Sequence, residues 1–402
     1  MAPTPAAQER AMKMREVIVQ AMAGKLTWWQ AAEILGVTSR TMRRWRLRYQ
    51  EFGVSGLHDQ RRVDRSPHGV PEAEVKRWVR LYRERHRDYN VRHFYAHLKR
   101  DTGCVWSYTV VLRALQAAGL VKKKQRRGRH FIRREPRACF GEMLHIDGSR
   151  HHWLALCPEE FSSLIVVVDD ATRKILYAQL APSETTHAIL TALAAVLRCH
   201  GIPQVLYSDR AAWAAYTPRA GQPVDRTRRT QVGRALERLG IEHILAYSPQ
   251  ARGRSERVNR TLQDRLVKEL RTTGIRTLDR ANRYIDECFL PSYNDEFGRA
   301  PTLPDSGFAL LGGVDLEGIL CHEETRTVLR DNTVTLEGVR LQIARQPGRS
   351  TCAGLSAVVR RHLDGTHTVW WGPKLLGRYS AQGRALSREP IVSAVTAAVV
   401  NA

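Results

Sequence analysis

Hydrophobic and polar positions follow two different rhythms along the chain. From Met12 to about Tyr49 apolar residues recur with helical spacing, and LTWWQAAEILGVTSRTMRRWRLRYQ breaks that spacing once, at Gly36-Val37. Two short helices about such a turn predict a helix-turn-helix. Ala32 is small where the helices cross, Gly36 permits the turn, Thr38 caps the second helix, and Met42 and Trp45 face inward three residues apart. A second helical pattern runs from about Glu72 to Leu120, with Tyr108 to Ala117 as a possible second recognition helix. From Cys139 strands and helices alternate. Strands are predicted at about 142–147, 163–169, 174–180, 204–209 and 243–247, with helices at 185–200, 230–239 and from about Ser255. Three strands precede the first of these helices, which implies a mixed sheet covered by helices and not a strict βαβ repeat. Beyond Pro301 strand patterning returns, and Asp364-Gly365 is a hairpin signal. A small SH3-like β-barrel is the economical expectation for about 325–379.

The expected organisation is therefore multidomain α/β. A helix-turn-helix domain occupies 1–64, a second helical or helix-turn-helix domain 65–120 and a basic linker 121–137. A mixed-sheet core follows at 138–300, a β-barrel at 301–385 and a tail at 386–402. A length of 402 residues agrees with several cores.

Charge narrows the function. Lys and Arg number 64 against 40 Asp and Glu, a formal net charge of +24, so a polyanion is the expected partner. No apolar run approaches the ~20 residues needed to span a bilayer, and the N-terminus lacks a signal-peptide core, which favours nucleic acid over membrane. Seven scattered cysteines without a CxxC pair fit a reducing cytosol. Arg40, Arg43, Arg44, Arg46 and Arg48 lie on the outer face of the predicted recognition helix, where they can meet phosphates and base edges. The run VKKKQRRGRHFIRREPR, with Lys122, Lys123, Lys124, Arg126 and Arg127, is expected to track DNA. His93 and His97 have a spacing that can ligate zinc, yet only Cys104 is near, and a structural role is expected for both.

The stretch YSPQARGRSERVNRTLQDRL sets Glu256 among Arg252, Arg254, Arg257, Arg260 and Arg265. A solvated helix with pairing from Glu256 to Arg252 and Arg260 is the simple reading. Val258, Leu262, Leu266 and Leu270 repeat every four residues and face a core, which assigns Glu256, Arg260 and Gln263 to the opposite, wetter side. Two further carboxylates, Asp147 in EMLHIDGS and Asp209 in PQVLYSDR, are predicted at the ends of buried strands, where open α/β sheets bind ligands. If the helix crosses the sheet near those ends, Glu256 completes a three-carboxylate cluster. Like charges there repel, and a divalent cation relieves the conflict. Asp169 and Asp170 end a predicted strand and could approach the site, Asp225, Glu237 and Asp264 are expected on the surface or in salt bridges, and His145 in a structural role.

HIDGS, YSDR and especially YSPQARGRSERVNRTLQ resemble the catalytic core of DDE transposases and retroviral integrases, an RNase H-like fold. The basic helix-turn-helix front and the overall arrangement are similar to bacterial insertion-sequence transposases of the IS481 and ISNCY kind. The likeness covers Cys139 to Pro301 most closely and the terminal modules more loosely. It implies that Asp147 bridges two metal ions while Asp209 and Glu256 each hold one, and that Arg252, Arg254 and Arg260 serve DNA. It further implies two Mg²⁺ ions about 3.5 to 4 Å apart, with Mn²⁺ able to substitute, acting in 3′-end cleavage and strand transfer. The implied partners are element terminal repeats, target DNA and a homodimer or higher synaptic complex, in a bacterial cytoplasm at the nucleoid. Asp147 and Asp209 are 62 residues apart and Asp209 and Glu256 47, the second interval being longer than the family's usual one. AAWAAYTPRAGQPVDRTRRT resembles an insertion there, with Ala211 and Ala212 where relatives often carry His, Gly or Ser. The alternative expectation is a catalytically silent, domesticated transposase acting as a DNA-binding regulator.

Overall fold

A computed structural model of the chain describes residues 5–58, 69–123, 135–216, 225, 228–246, 253 and 255–386. The chain divides into two compact units, 1–124 and 125–402.

In the first unit, helices α1 (Pro5–Met22), α2 (Trp28–Ile34) and α3 (Ser39–Phe52) enclose Ile18, Ala31, Ala32, Met42 and Leu57. The predicted helix-turn-helix is formed by α2 and α3. Thr27 and Gln30 make a reciprocal capping box at the start of α2, and Thr38 Oγ1 accepts from Thr41 N at 3.3 Å at the start of α3. Between them Gly36 takes φ +64°, and Gly36 N and Val37 N donate to Glu33 O and Ala32 O. This closes α2 in the left-handed manner that glycine permits. A second core is built by α4 (Glu72–Arg85), α5 (Val91–Thr102) and α6 (Tyr108–Ala117) around Trp78, Tyr82, Phe94, Leu98, Val111 and Leu115.

The second unit is centred on a five-stranded sheet of order β3-β2-β1-β4-β5. β1 (Met143–His151), β2 (Ser162–Asp169) and β3 (Ile175–Ala181) are antiparallel, while β4 (Val205–Ser208) and β5 (Glu242–Leu245) run parallel to β1. Helices cover both faces. α7 (Thr186–His200) and α8 (Gln231–Arg238) pack on Leu144, Ile146, Ile165, Val167 and Leu206. Leu262, Leu266 and Leu270 of α9 (Ser255–Thr272) pack on Leu164, Val166 and Val168 on the other side, joined by α10 (Leu278–Tyr284) and α11 (Leu290–Phe297). With both faces covered, all eight residues of β2 are buried, which explains its unbroken apolar run. Burial of each α9 leucine stabilises the helix's seat by roughly 1.5–3 kcal/mol. The mixed sheet expected from the strand order is present.

The chain then passes through the short α12 (Leu316–Ile319) to six strands. β6 (His322–Thr327), β9 (Ser356–Arg361), β10 (His367–Trp371) and β11 (Lys374–Tyr379) form a sheet of order β11-β10-β9-β6. Among the described residues β7 (Thr333–Leu336) and β8 (Val339–Gln342) pair only with each other. Among the described residues the expected closed barrel is not formed. The turn 328–332, with Asn332 at φ +59°, separates β7 from β6, so the hairpin joins the shared apolar core by packing and not by a continuous ladder. The Asp364-Gly365 turn does join β9 to β10, with Asp364 Oδ1 accepting from Thr366 N and Oγ1 at 2.9 and 2.7 Å. Glu323 of β6 binds this sheet to α8: Arg238 grips its carboxylate at 2.8 and 2.9 Å, and Arg360 Nε adds a bond at 2.9 Å. Among the described residues no helix is long and apolar enough to cross a membrane.

Candidate active site

The parallel pairing of β1 with β4 matches Met143 with Val205, Leu144 with Leu206 and His145 with Tyr207. Each pair is 62 residues apart, and the same offset carried two residues further sets Asp147 beside Asp209. The two aspartates differ in setting. Asp209 follows the last residue of β4, as expected. Asp147 is not at a strand end, because β1 continues to His151 by pairing Gly148–His151 with Ser162–Ile165 of β2. Asp147 instead reaches the rim laterally, where the shorter β4 stops.

Asp147 is only 7% exposed and faces α9. Asn259 Nδ2 donates to Asp147 Oδ2 at 2.8 Å, and Gln263 Nε2 donates to Ser149 Oγ at 3.0 Å. Positions four apart on a helix thus meet positions two apart on a strand, which fixes the line along which α9 crosses β1. Gln263 therefore faces the sheet and not the wetter side to which its sequence position had assigned it; Arg260 is exposed as expected. Glu256 lies three residues before Asn259, in the first turn of α9, and is exposed. Among the described residues it forms no ion pair, even with Arg260 four residues on. A carboxylate at this end is favoured by the helix dipole.

The turn after Asp209 is built by backbone. Asp209 Oδ1 accepts from Ala211 N at 2.9 Å, and Ala214 N and Ala215 N donate to Ala211 O, making one helical turn capped by the aspartate. Ala211 thus supports Asp209 through its backbone, without side-chain chemistry. Ser208 Oγ donates to Asp209 O at 2.8 Å and also meets His243 Nε2 at 2.8 Å. Burial pushes the His243 pKa down to about 4, so this ring is neutral near neutral pH.

Asp147, Asp209 and Glu256 do not bring one oxygen each to within 4.8 Å of one another among the described residues. The donor set is nonetheless all carboxylate oxygen, the chemistry suited to hard divalent cations such as Mg²⁺ or Mn²⁺. The other acidic candidates have structural partners. Asp169 accepts from Gly141 N, Thr172 N and Thr172 Oγ1, while Asp170 accepts from Arg137 N and meets His145 Nε2 at 2.8 Å. Glu237 pairs with Arg229, and Asp264 with Lys268. Asn259 was missed in the sequence, although its position three residues beyond Glu256 on the same helix could have indicated it.

The basic candidates separate by environment. Arg40, Arg43, Arg44 and Arg48 are exposed on α3, and Lys122 and Lys123 are exposed beyond α6. Arg46 is half-buried with its guanidinium 4.9 Å from the Trp28 ring centre, so it packs within the module instead of standing on the open face. Lys124, Arg126, Arg127, Arg252 and Arg254 lie outside the described residues. Arg265, in the same basic stretch, is buried, bonded to Glu296 at 2.5 and 3.0 Å and stacked on Phe297. His93 and His97 are buried, with the His93 ring stacked on Tyr89 at 4.3 Å and 5.0 Å from the His97 ring.

Known proteins resemble this chain in sequence. A family model described as "Helix-turn-helix domain" matches residues 14–65. "Putative transposase y4bF" of Sinorhizobium fredii is 32% identical over 372 residues, spanning 91% of this chain and 80% of its own. The chain belongs to the insertion-sequence transposases. A second relative of this transposase, "Transposase for insertion sequence IS1202" of Streptococcus pneumoniae, is 28% identical over 323 residues, spanning 71% of this chain and 68% of its own. Among solved structures, the catalytic core of BIV integrase is 20% identical, covering 40% of the transposase and 88% of its own chain at a TM-score of 0.28. A chain of the simian T-cell lymphotropic virus intasome is 17% identical, covering 73% and 99% at a TM-score of 0.31.

Proposed function

We propose that this transposase binds the terminal sequences of its element and joins their 3′ ends to target DNA, with Asp147, Asp209 and Glu256 as its catalytic carboxylates. The Asn259–Asp147 hydrogen bond carries the reading. It ties the helix that carries Glu256 in its first turn to the strand that bears Asp147, which the β1–β4 register sets beside Asp209. Divalent cations bound by these oxygens would activate the attacking oxygen and stabilise the leaving one. The remaining work belongs to the chain. Asn259 orients Asp147, the Ala211 N–H fixes Asp209, and exposed Arg257 and Arg260 on α9 offer charge to DNA phosphates. The helix-turn-helix would choose the element end through Arg40, Arg43 and Arg44, while Lys122, Lys123 and the basic residues that follow hold backbone. We further assign the finer domain limits given above, two ions per site, a dimeric or larger assembly because two ends must meet, and a place at the bacterial nucleoid.

Strand transfer on a labelled duplex bearing the element's own end tests the reading, with Mg²⁺, Mn²⁺ or EDTA. Products that require metal support it. Tight end binding without products under either metal would favour a silent DNA-binding regulator.

A further inference from the structure

The strand that bears Asp147 and the turn that follows Asp209 are also linked on the sheet face opposite α9. Glu184 lies between β3 and α7, just before the α7 cap Thr185. Its Oε1 accepts from Trp213 Nε1 at 2.6 Å. The same carboxyl group rests on Gly148: a Cβ placed at that glycine would stand 2.2 Å from Glu184 Cδ and Oε2 and 2.7 Å from Oε1. No side chain fits at position 148 while Glu184 holds its place. Trp213 is buried and sits in the helical turn whose first N–H, that of Ala211, binds Asp209. One carboxyl group therefore touches the residue following Asp147 and the turn capped by Asp209.

We propose that Glu184 is a positioning residue that sets the separation of Asp147 and Asp209, through its seat on Gly148 and its bond to the Trp213 indole. The inference rests on the reading that these aspartates hold divalent cations. Glu184 acts from the far side of the sheet and need not touch metal or DNA. Its contribution comes from the rigidity of two short links. The backbone step from Gly148 to Asp147 is covalent, and the turn from Asp209 to Trp213 is held by three hydrogen bonds to or within it. Loss of either link frees β4's end to move relative to β1, and two carboxylates that must approach one cation tolerate little such freedom.

Mn²⁺ binding to the full chain, followed by loss of the free-ion electron paramagnetic resonance signal, reads that separation without requiring catalysis. Trp213→Phe keeps the ring and removes the donor; Glu184→Ala removes the acceptor; Gly148→Ala evicts the carboxyl group. Each is expected to weaken Mn²⁺ binding about tenfold, the scale typical of groups that orient metal ligands. Each should also raise the Mg²⁺ concentration needed for half-maximal strand transfer, with end-DNA affinity unchanged. The Glu184→Ala/Trp213→Phe double variant is expected to be no worse than the worse single one, because both break one link. Glu184→Gln, which keeps an acceptor oxygen at Oε1, should recover most of the lost metal affinity. If Glu184→Ala fails to fold, Trp213→Phe carries the test alone. Wild-type Mn²⁺ affinity in folded Glu184→Ala or Trp213→Phe, or additive losses in the double variant, would overturn the proposal. Asp147→Asn separates the two readings: if it also binds Mn²⁺ like wild type, the metal-site reading itself fails, whereas its loss beside unaffected Glu184→Ala and Trp213→Phe rejects Glu184 alone.

Discussion

The Asn259 carboxamide donates to Asp147 Oδ2 at 2.8 Å, across 112 residues of sequence. A neutral donor here holds one rotamer of the carboxylate without neutralising it. Asn259→Ala is expected to slow strand transfer by roughly 10- to 100-fold with end-DNA affinity within about twofold, as for other groups that orient metal ligands. Asn259→Asp should be worse, since it sets a like charge against Asp147. Single-turnover kinetics check both. Wild-type rates in Asn259→Ala would remove the residue from the site.

Recognition of the element end is expected to depend on Arg43 and Arg44 and little on Arg46. Replacing the first two by Ala should weaken end binding and reduce the magnitude of the salt slope by about 2, near one unit for each phosphate no longer neutralised. Arg46→Ala should leave the slope unchanged and lower the melting temperature of the module, because its guanidinium packs on Trp28. Affinity measured between low and moderate salt distinguishes the two effects. An unchanged slope in the Arg43/Arg44 variant would contradict the assignment of α3.

Glu323 fastens the C-terminal sheet to α8. Burial alone raises its pKa, but bonds and charge from Arg238, Arg234 and Arg360 outweigh this, so the net shift is downward. A lowered carboxylate pKa gives stability that is present above the ordinary range and is lost as pH falls through the folded value. Glu323→Gln is expected to cost about 1–3 kcal/mol at pH 7, less than a fully buried pair because Arg238 is partly exposed. The difference should shrink below about pH 4, near the ordinary carboxylate value. Denaturant unfolding at both pH values checks the prediction, and an equal cost at each would refute it.

His243 gives a second acid response. Its pKa is lowered to about 4 by burial, so the unfolded chain takes the proton first, near the ordinary value of ~6.5. Stability is therefore retained above ~6.5 and falls as pH drops from there toward 4. His243→Asn is expected to flatten that fall. His86 in the other unit is also lowered to about 4 by burial, so the change between wild type and His243→Asn is the quantity to follow. Parallel curves for the two proteins would show that His243 does not titrate in this way.

Much of this architecture was legible because local chemistry and tertiary packing agree. Thr38, Gly36 and Met42 announce a cap, a turn and a buried face, and each has that role. The unbroken apolar run of β2 and the four-residue leucine repeat of α9 likewise declare which faces are covered. Three features were hidden. The extension of β1 beyond Asp147 depends on a partner strand, and GSRH carries too little apolar alternation to reveal it. The side taken by Gln263 follows from its bond to Ser149, since a polar residue beside a leucine stripe can face either water or a polar gap in the sheet. The open C-terminal strands differ from the expected barrel because strand patterning cannot tell whether a hairpin's edge finds a neighbour.

On the proposed mechanism Asp147, Asp209 and Glu256 act together on DNA. Strand transfer and end binding measured side by side for Asp147→Asn, Asp209→Asn and Glu256→Gln test it most directly. Each variant is predicted to bind end DNA like wild type and to yield no product above background with Mg²⁺. Wild-type levels of product from any one of the three would remove that residue from the site and contradict the account.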